Sequence, residues 1–196
     1  DILLTVHDDS AFEGDETVTL ELSNAVGAST SASHVVTIVE NEVAPTIEFV
    51  TTSASFAESE ATHVINVSLN SVAANPLTVD YVINASSTAA NPSDYELSAG
   101  TLTFPAGSTV NQQISVDIHN DAVFEGNETL VIDLQNLTPG VTLGNQDQYT
   151  LGITDDEMQP TISVDDVTVT EGATATFTVS LNYESYQDIT FDFTVS

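Results

Sequence analysis

Not one lysine or arginine occurs among the 196 residues, against 30 aspartates and glutamates. Any fold that brings two of those carboxylates together must neutralise them with something other than a basic side chain. Like charges a few ångströms apart raise each other's pKa unless a cation lies between them. The same absence excludes nucleic acid and anionic membrane surfaces as direct partners, since both are held by cationic contacts. Divalent cations are favoured instead. Disorder is the common outcome for so acidic a composition, yet 41% of the residues are hydrophobic and they alternate along the chain, which a disordered tail does not need. The chain is therefore expected to fold.

The acids are not scattered. Asn120-Asp121-Ala122-Val123-Phe124-Glu125-Gly126-Asn127-Glu128 crowds acidic and amide oxygens around one glycine and one aromatic ring. Asp8-Asp9-Ser10-Ala11-Phe12-Glu13-Gly14-Asp15-Glu16 gives the same pattern 112 residues upstream. Each copy follows an alternating apolar run that ends in histidine, His7 or His119. Oxygen donors without basic neighbours suit calcium, which accepts six to eight oxygens loosely at about 2.3–2.6 Å, better than magnesium, which requires a strict octahedron.

Alternation of apolar and polar residues predicts strands over residues 2–6, 18–22 and 35–39, before Glu40-Asn41-Glu42. A full set follows at 46–50, 63–70 and 77–84, a short pair at 95–97 and 101–104, then 113–119, 128–135 and 148–154. Asn75-Pro76, Asn91-Pro92, Ala99-Gly100, Pro105-Ala106-Gly107 and Pro139-Gly140 supply the turns. No stretch has helical periodicity. The pattern is that of an all-β protein built from tandem immunoglobulin-like antiparallel β-sandwiches. Pro160-Thr161-Ile162 repeats Pro45-Thr46-Ile47. Residues 1–43 thus read as the C-terminal part of one repeat, 44–157 as a complete repeat and 158–196 as the N-terminal part of a further one. The expected parent is a tandem array continuing in both directions.

If the strands of the complete repeat run alternately up and down, the first, third, fifth and seventh finish at one end. The segments after them carry Glu58; Asp94; Asp121, Glu125 and Glu128; and Asp155, Asp156 and Glu157. Parity alone gathers these eight carboxylates at one pole.

Those residues also carry a family resemblance. Asp94-Tyr95, Gly100-Thr101-Leu102-Thr103-Phe104, Pro105-Ala106-Gly107, the loop from Asn120 to Glu128, and Ile153-Thr154-Asp155-Asp156 together resemble the Calx-beta domain. That family includes calcium-sensing domains of sodium/calcium exchangers and extracellular modules of large adhesion proteins. The resemblance implies that Ca2+ is held by Glu58, Asp94, Asp121, Glu125, Glu128, Asp155, Asp156 and Glu157. The counterparts in the first repeat are Asp8, Asp9, Glu13, Glu16, Glu40 and Glu42, and the third repeat offers Glu171. Two departures stand out: Asn120 replaces an acid frequent in the family, and Asn41 interrupts the terminal acidic run.

His7, His34, His63 and His119 share no metal-ligand spacing and read as ordinary surface or strand-edge residues. Sequons at Asn66, Asn84, Asn127 and Asn136 are too short a pattern to carry an assignment. No nucleophile–base pairing, phosphate loop or sugar cleft is present, so the chain is not expected to be an enzyme. There is no cysteine and no apolar run long enough for a membrane span. The expected function is a calcium-binding structural or adhesive segment, a stalk or filament, of an extracellular or cell-surface protein. Its partners would be calcium ions, neighbouring repeats, and self-association or a cell-surface ligand, without direct membrane insertion. The alternative is a calcium-sensing regulatory module of a transporter or enzyme.

Overall fold

The computed structural model describes residues 1–29 and 33–195, and its regular structure is all β. At the N-terminus β1 (Glu16–Glu21) and β2 (Ser33–Ile38) form an antiparallel ribbon. The central unit then contains β3 (Thr46–Phe49), β4 (Ser53–Ala57), β5 (Thr62–Leu69), β6 (Leu77–Ile83), β7 (Tyr95–Glu96), β8 (Gly100–Phe104), β9 (Gln112–Ile118), β10 (Glu128–Gln135), β11 (Thr142–Leu143) and β12 (Gln148–Thr154). A second ribbon, β13 (Ile162–Val164) with β14 (Val179–Leu181), follows.

The central strands make two five-stranded sheets, ordered β4-β12-β10-β6-β8 and β11-β3-β5-β9-β7. Alternating side chains from both enter one core. Ile65, Val67 and Leu69 of β5 and Ile114, Val116 and Ile118 of β9 meet Val79, Leu130, Ile132, Tyr149 and Leu151 from the other sheet, all buried. Alternate residues of a strand point to opposite faces, so the intervening Thr62, Val64, Gln113 and Ser115 lie outside.

Several expectations are corrected. Residues 2–6 form no strand, and Ile2, Leu4 and Val6 are exposed. The short pair at 95–97 and 101–104 is not a pair: β7 joins β9 in one sheet and β8 joins β6 in the other. The sequence reading also missed β4 and β11. Ser53-Ala54-Ser55-Phe56-Ala57 is small and weakly apolar, but the chain crosses there between sheets after β3, and β4 runs parallel to β12. His63 is not a surface residue. It is only 8% exposed, its ring centre lies 4.2 Å from that of Phe56, and its Nε2 shares a hydrogen bond of 2.8 Å with the Tyr149 hydroxyl.

The ribbons repeat the central unit's pairings. Glu16 lies opposite Ile38 as Glu128 lies opposite Ile153, and Ile162 opposite Leu181 as Ile47 lies opposite Leu69. The Thr46 N–H donates to Asn70 Oδ1, and the Thr161 N–H to Asn182 Oδ1.

Candidate metal centre

The pole is assembled by strand ends. Parallel pairing sets Ala57 of β4 opposite Thr154 of β12, and the Glu58 N–H donates to the Thr154 carbonyl at 3.1 Å. Glu58 therefore leaves its strand beside Asp155-Asp156-Glu157. Across the sandwich Tyr95 pairs with Ile118, and the His119 N–H donates to the Asp94 carbonyl at 2.9 Å. Asp94 is thus fixed at the start of the acidic loop. His119 takes no place among the acids; its Nδ1 lies 2.7 Å from the Pro92 carbonyl and ties the loop to the preceding turn.

The loop itself is shaped by its own oxygens. Asp121 Oδ1 accepts from the Val123 N–H at 2.7 Å. Gly126 adopts φ 82°, a left-handed conformation that side chains disfavour. Asp155 Oδ2 accepts from the N–H groups of Glu125 and Gly126, while its Oδ1 accepts from the Glu157 N–H.

Two donor groups result. Oxygens of Glu58, Asp156 and Glu157 lie within 4.8 Å of one another, and so do oxygens of Asp94, Glu125 and Glu128. Six of the eight expected carboxylates are brought together in this way. Asp121 and Asp155 fall outside the groups: Asp121 adds its charge to Glu58 and Glu125, and Asp155 grips the backbone.

The electrostatics follow from burial and crowding. Glu58 and Asp94 are 6% and 7% exposed. Burial first, then the charges of Glu157, Asp155, Asp156 and Asp121, push Glu58 up to about 7. Burial, then hydrogen bonding with Asp94 and its charge, push Glu128 up to about 8. Glu125 and Glu157 are raised for the same reasons. For Asp155 burial acts upward, but the N–H groups of Gly126, Glu157 and Glu125 outweigh it and its pKa is lowered. A divalent cation suits such donors, since it supplies the positive charge that the chain lacks. Glu157 Oε2 supports that fit directly: it is buried and has no hydrogen-bond partner.

The first repeat builds its loop alike. Glu40 Oε2 accepts from the Glu13 and Gly14 N–H groups, as Asp155 does for Glu125 and Gly126, and Asp9 Oδ1 accepts from the Ala11 N–H. Hydrogen bonding from Glu42, then from those N–H groups, holds Glu40 down to about 2. Burial, Asp9, Glu16 and Glu40 raise Glu13, and contact with Glu40 raises Glu42. Asn41 Nδ2 donates to Asp8 Oδ1 at 3.1 Å. The corresponding central residues are Asp156 and Asn120. Asn41 and Asn120, which read as separate departures in the sequence, are thus one exchange: each repeat keeps one carboxylate and one amide across these two positions. Among the described residues Asp8, Asp9, Glu13, Glu16, Glu40 and Glu42 form no donor group as tight as the central two. Glu171 is exposed on a turn and belongs to neither donor group.

An acidic pole without a basic side chain, set on an all-β sandwich, defines a divalent-cation-binding module. The family model described as "Calx-beta domain" matches residues 1–42 and 40–157, and the chain belongs to the Calx-beta family. Among solved structures, an apo-form Calx CBD1 domain is similar at TM-score 0.53 and 26% identity, covering 57% of this chain and 97% of that one. A calcium binding domain CBD12 of CALX1.1 is similar at TM-score 0.52 and 26% identity, covering 56% of this chain and 44% of that one. A Calx CBD2 domain shares the fold at TM-score 0.50 and 16% identity, covering 56% of this chain and 86% of that one. No match was found among curated proteins. Calcium is the ion of this family.

Proposed function

We propose that the central repeat binds calcium through two carboxylate groups, Glu58/Asp156/Glu157 and Asp94/Glu125/Glu128. We further propose that the chain is a segment of a structural array, a stalk or filament of an extracellular or cell-surface protein. The observation that carries the binding site is the convergence of six carboxylates into two groups with oxygens within 4.8 Å, in a chain with no Lys or Arg. At this pole the protein's own residues bind and orient the ion, while Asp155 holds the loop backbone in place. Calcium supplies the positive charge that lets Glu58 and Glu128 lose their protons.

The array reading draws on the recurrence of loop and strand pairings along the chain, and on junctions of few residues, such as Met158-Gln159 between Glu157 and Pro160. A linker that short restricts independent tumbling, and proline fixes one backbone angle. The absence of Lys and Arg also removes trypsin-type cleavage sites, which suits exposure outside the cell. A regulatory calcium sensor is the second reading, favoured by the 26% identity to the tandem calcium binding domain CBD12.

Isothermal titration of the full chain tests both. Calcium should release or absorb heat on binding, and Glu125→Gln or Asp156→Asn should weaken binding at least about tenfold, roughly 1.4 kcal/mol. A titration with no heat, or variants that match the parent, would overturn the assignment. Affinity then separates the readings: extracellular modules bind at about 10⁻⁴–10⁻³ M and sensors at about 10⁻⁷–10⁻⁵ M.

A further inference from the structure

The acidic loop does more than enclose its own pole. Phe12 of the first loop makes a parallel bridge with Ala73, in the connection between β5 and β6 of the next repeat. The Phe12 N–H donates to the Val72 carbonyl at 3.2 Å, and the Ala74 N–H donates to the Phe12 carbonyl at 3.0 Å. Phe124 of the second loop makes the same bridge with Ser185. Its N–H donates to the Glu184 carbonyl at 3.2 Å, and the Tyr186 N–H donates to its carbonyl at 3.1 Å. Donor and acceptor offsets are the same in both, and all four positions shift by the 112 residues that separate the two loops.

We infer that the connection equivalent to that between β5 and β6 in each repeat is a docking strip for the aromatic residue of the preceding repeat's loop, and that one junction geometry recurs along the array. Backbone atoms carry the bridge, so it tolerates the change from Ala73 to Ser185. Side chains then adjust each junction. Phe12 lies against Gly140, where a Cβ would stand 3.3 Å from its ring, and it packs on the core of the central sandwich. At the second junction Gln187 Nε2 donates to the Glu125 carbonyl at 2.6 Å, a bond from the following repeat to the acidic loop itself. Asn75 holds the corresponding place at the first junction.

A head-to-tail contact repeated with one operator generates an open helical array unless the rotation closes it into a ring. The tandem repeats therefore wind as a regular superhelix, not as beads on a flexible string. The partner that the strip fits is the next copy of this repeat, presenting an acidic loop with an aromatic residue at its centre. This concerns the loop's outer side and stands apart from what ion the loop binds.

The full chain provides the test, because it contains both junctions and no cysteine. Spin labels are placed by the outward-facing strand pairs Glu21→Cys with Ser68→Cys across the first junction, and Asp133→Cys with Ser180→Cys across the second. The two pairs occupy corresponding strand positions 112 residues apart, so one operator predicts one narrow distance common to both in double electron–electron resonance. Ala74→Pro deletes the N–H that bonds Phe12 and should abolish the narrow distance at the first junction only. Tyr186→Pro deletes the N–H that bonds Phe124 and should do so at the second only. Tyr186 lies outside the central sandwich, so the melting transition and calcium titration of that unit should be those of the parent, which shows that the loss is not misfolding. Two different narrow distances, or proline variants that keep the parent distributions, would overturn the proposal. A flat calcium titration with the distances intact would remove the calcium reading and leave this one standing.

Discussion

At the scale of single residues, the acids divide by what faces their oxygens. Glu58, buried, and Glu128, half-buried, stand beside other carboxylates and are raised to about 7 and about 8, whereas Asp155 accepts from several N–H groups and is lowered. A carboxyl whose folded pKa is raised contributes stability that is fully present below its unfolded value, about 4.5, and is lost as pH rises through the folded value. In chelator, the melting temperature of the central repeat should therefore be higher near pH 5 than near pH 8.5, and thermal scans across that range check it. Calcium should flatten the trend and expel protons, so that at pH 7 the binding heat changes with the ionisation enthalpy of the buffer. The division also predicts opposite mutational signs. At pH 8.5, above its folded value, Glu128→Gln removes a repelled charge and should raise the melting temperature in chelator, by roughly 4 °C if about 1 kcal/mol is relieved, while weakening calcium binding. Asp155→Ala removes an acceptor from three N–H groups and should lower it, with a loss of about 2–4 kcal/mol in urea unfolding.

Among the elements, β4 is the one that completes the pole. Its parallel pairing with β12 delivers Glu58 to the terminal acids, a role that antiparallel neighbours, which run in opposite directions, do not fill. The crossing is supported from the inside by Phe56 against His63 and by the bond from His63 to Tyr149. Tyr149→Phe leaves that buried imidazole nitrogen without its partner and should lower unfolding stability by about 1–3 kcal/mol, measured by denaturant titration. Little of this could be read locally. The strands β5, β9, β10 and β12 declare themselves by alternation, but β4 consists mainly of Ser and Ala and takes its identity from the partner it joins. His63 likewise looked like any polar residue on a strand. Its burial depends on Phe56, whose strand was not visible in the sequence.

For the whole molecule, a formal net charge of −30 sets the conditions under which the fold is comfortable. Self-repulsion among like charges is screened over about 10 Å at 0.1 M salt. Sodium chloride should therefore raise the melting temperature substantially in chelator and much less in saturating calcium; equal responses in the two would show that the ion does not relieve the repulsion. The sequence by itself determined the all-β class, the recurrence of the acidic loop, the gathering of acids at one pole and the preference for a divalent cation. Those properties depend on alternation, parity and charge, which are local or additive along the chain. Only the tertiary structure decided that six carboxylates form two groups while Asp155 and Glu40 hold loop backbones, that Asn41 and Asn120 compensate one another, and that Phe12 and Phe124 bridge to the following repeat. Each of these requires two segments remote in sequence to meet with a defined register, and register is fixed by the packed sheets rather than by either segment alone.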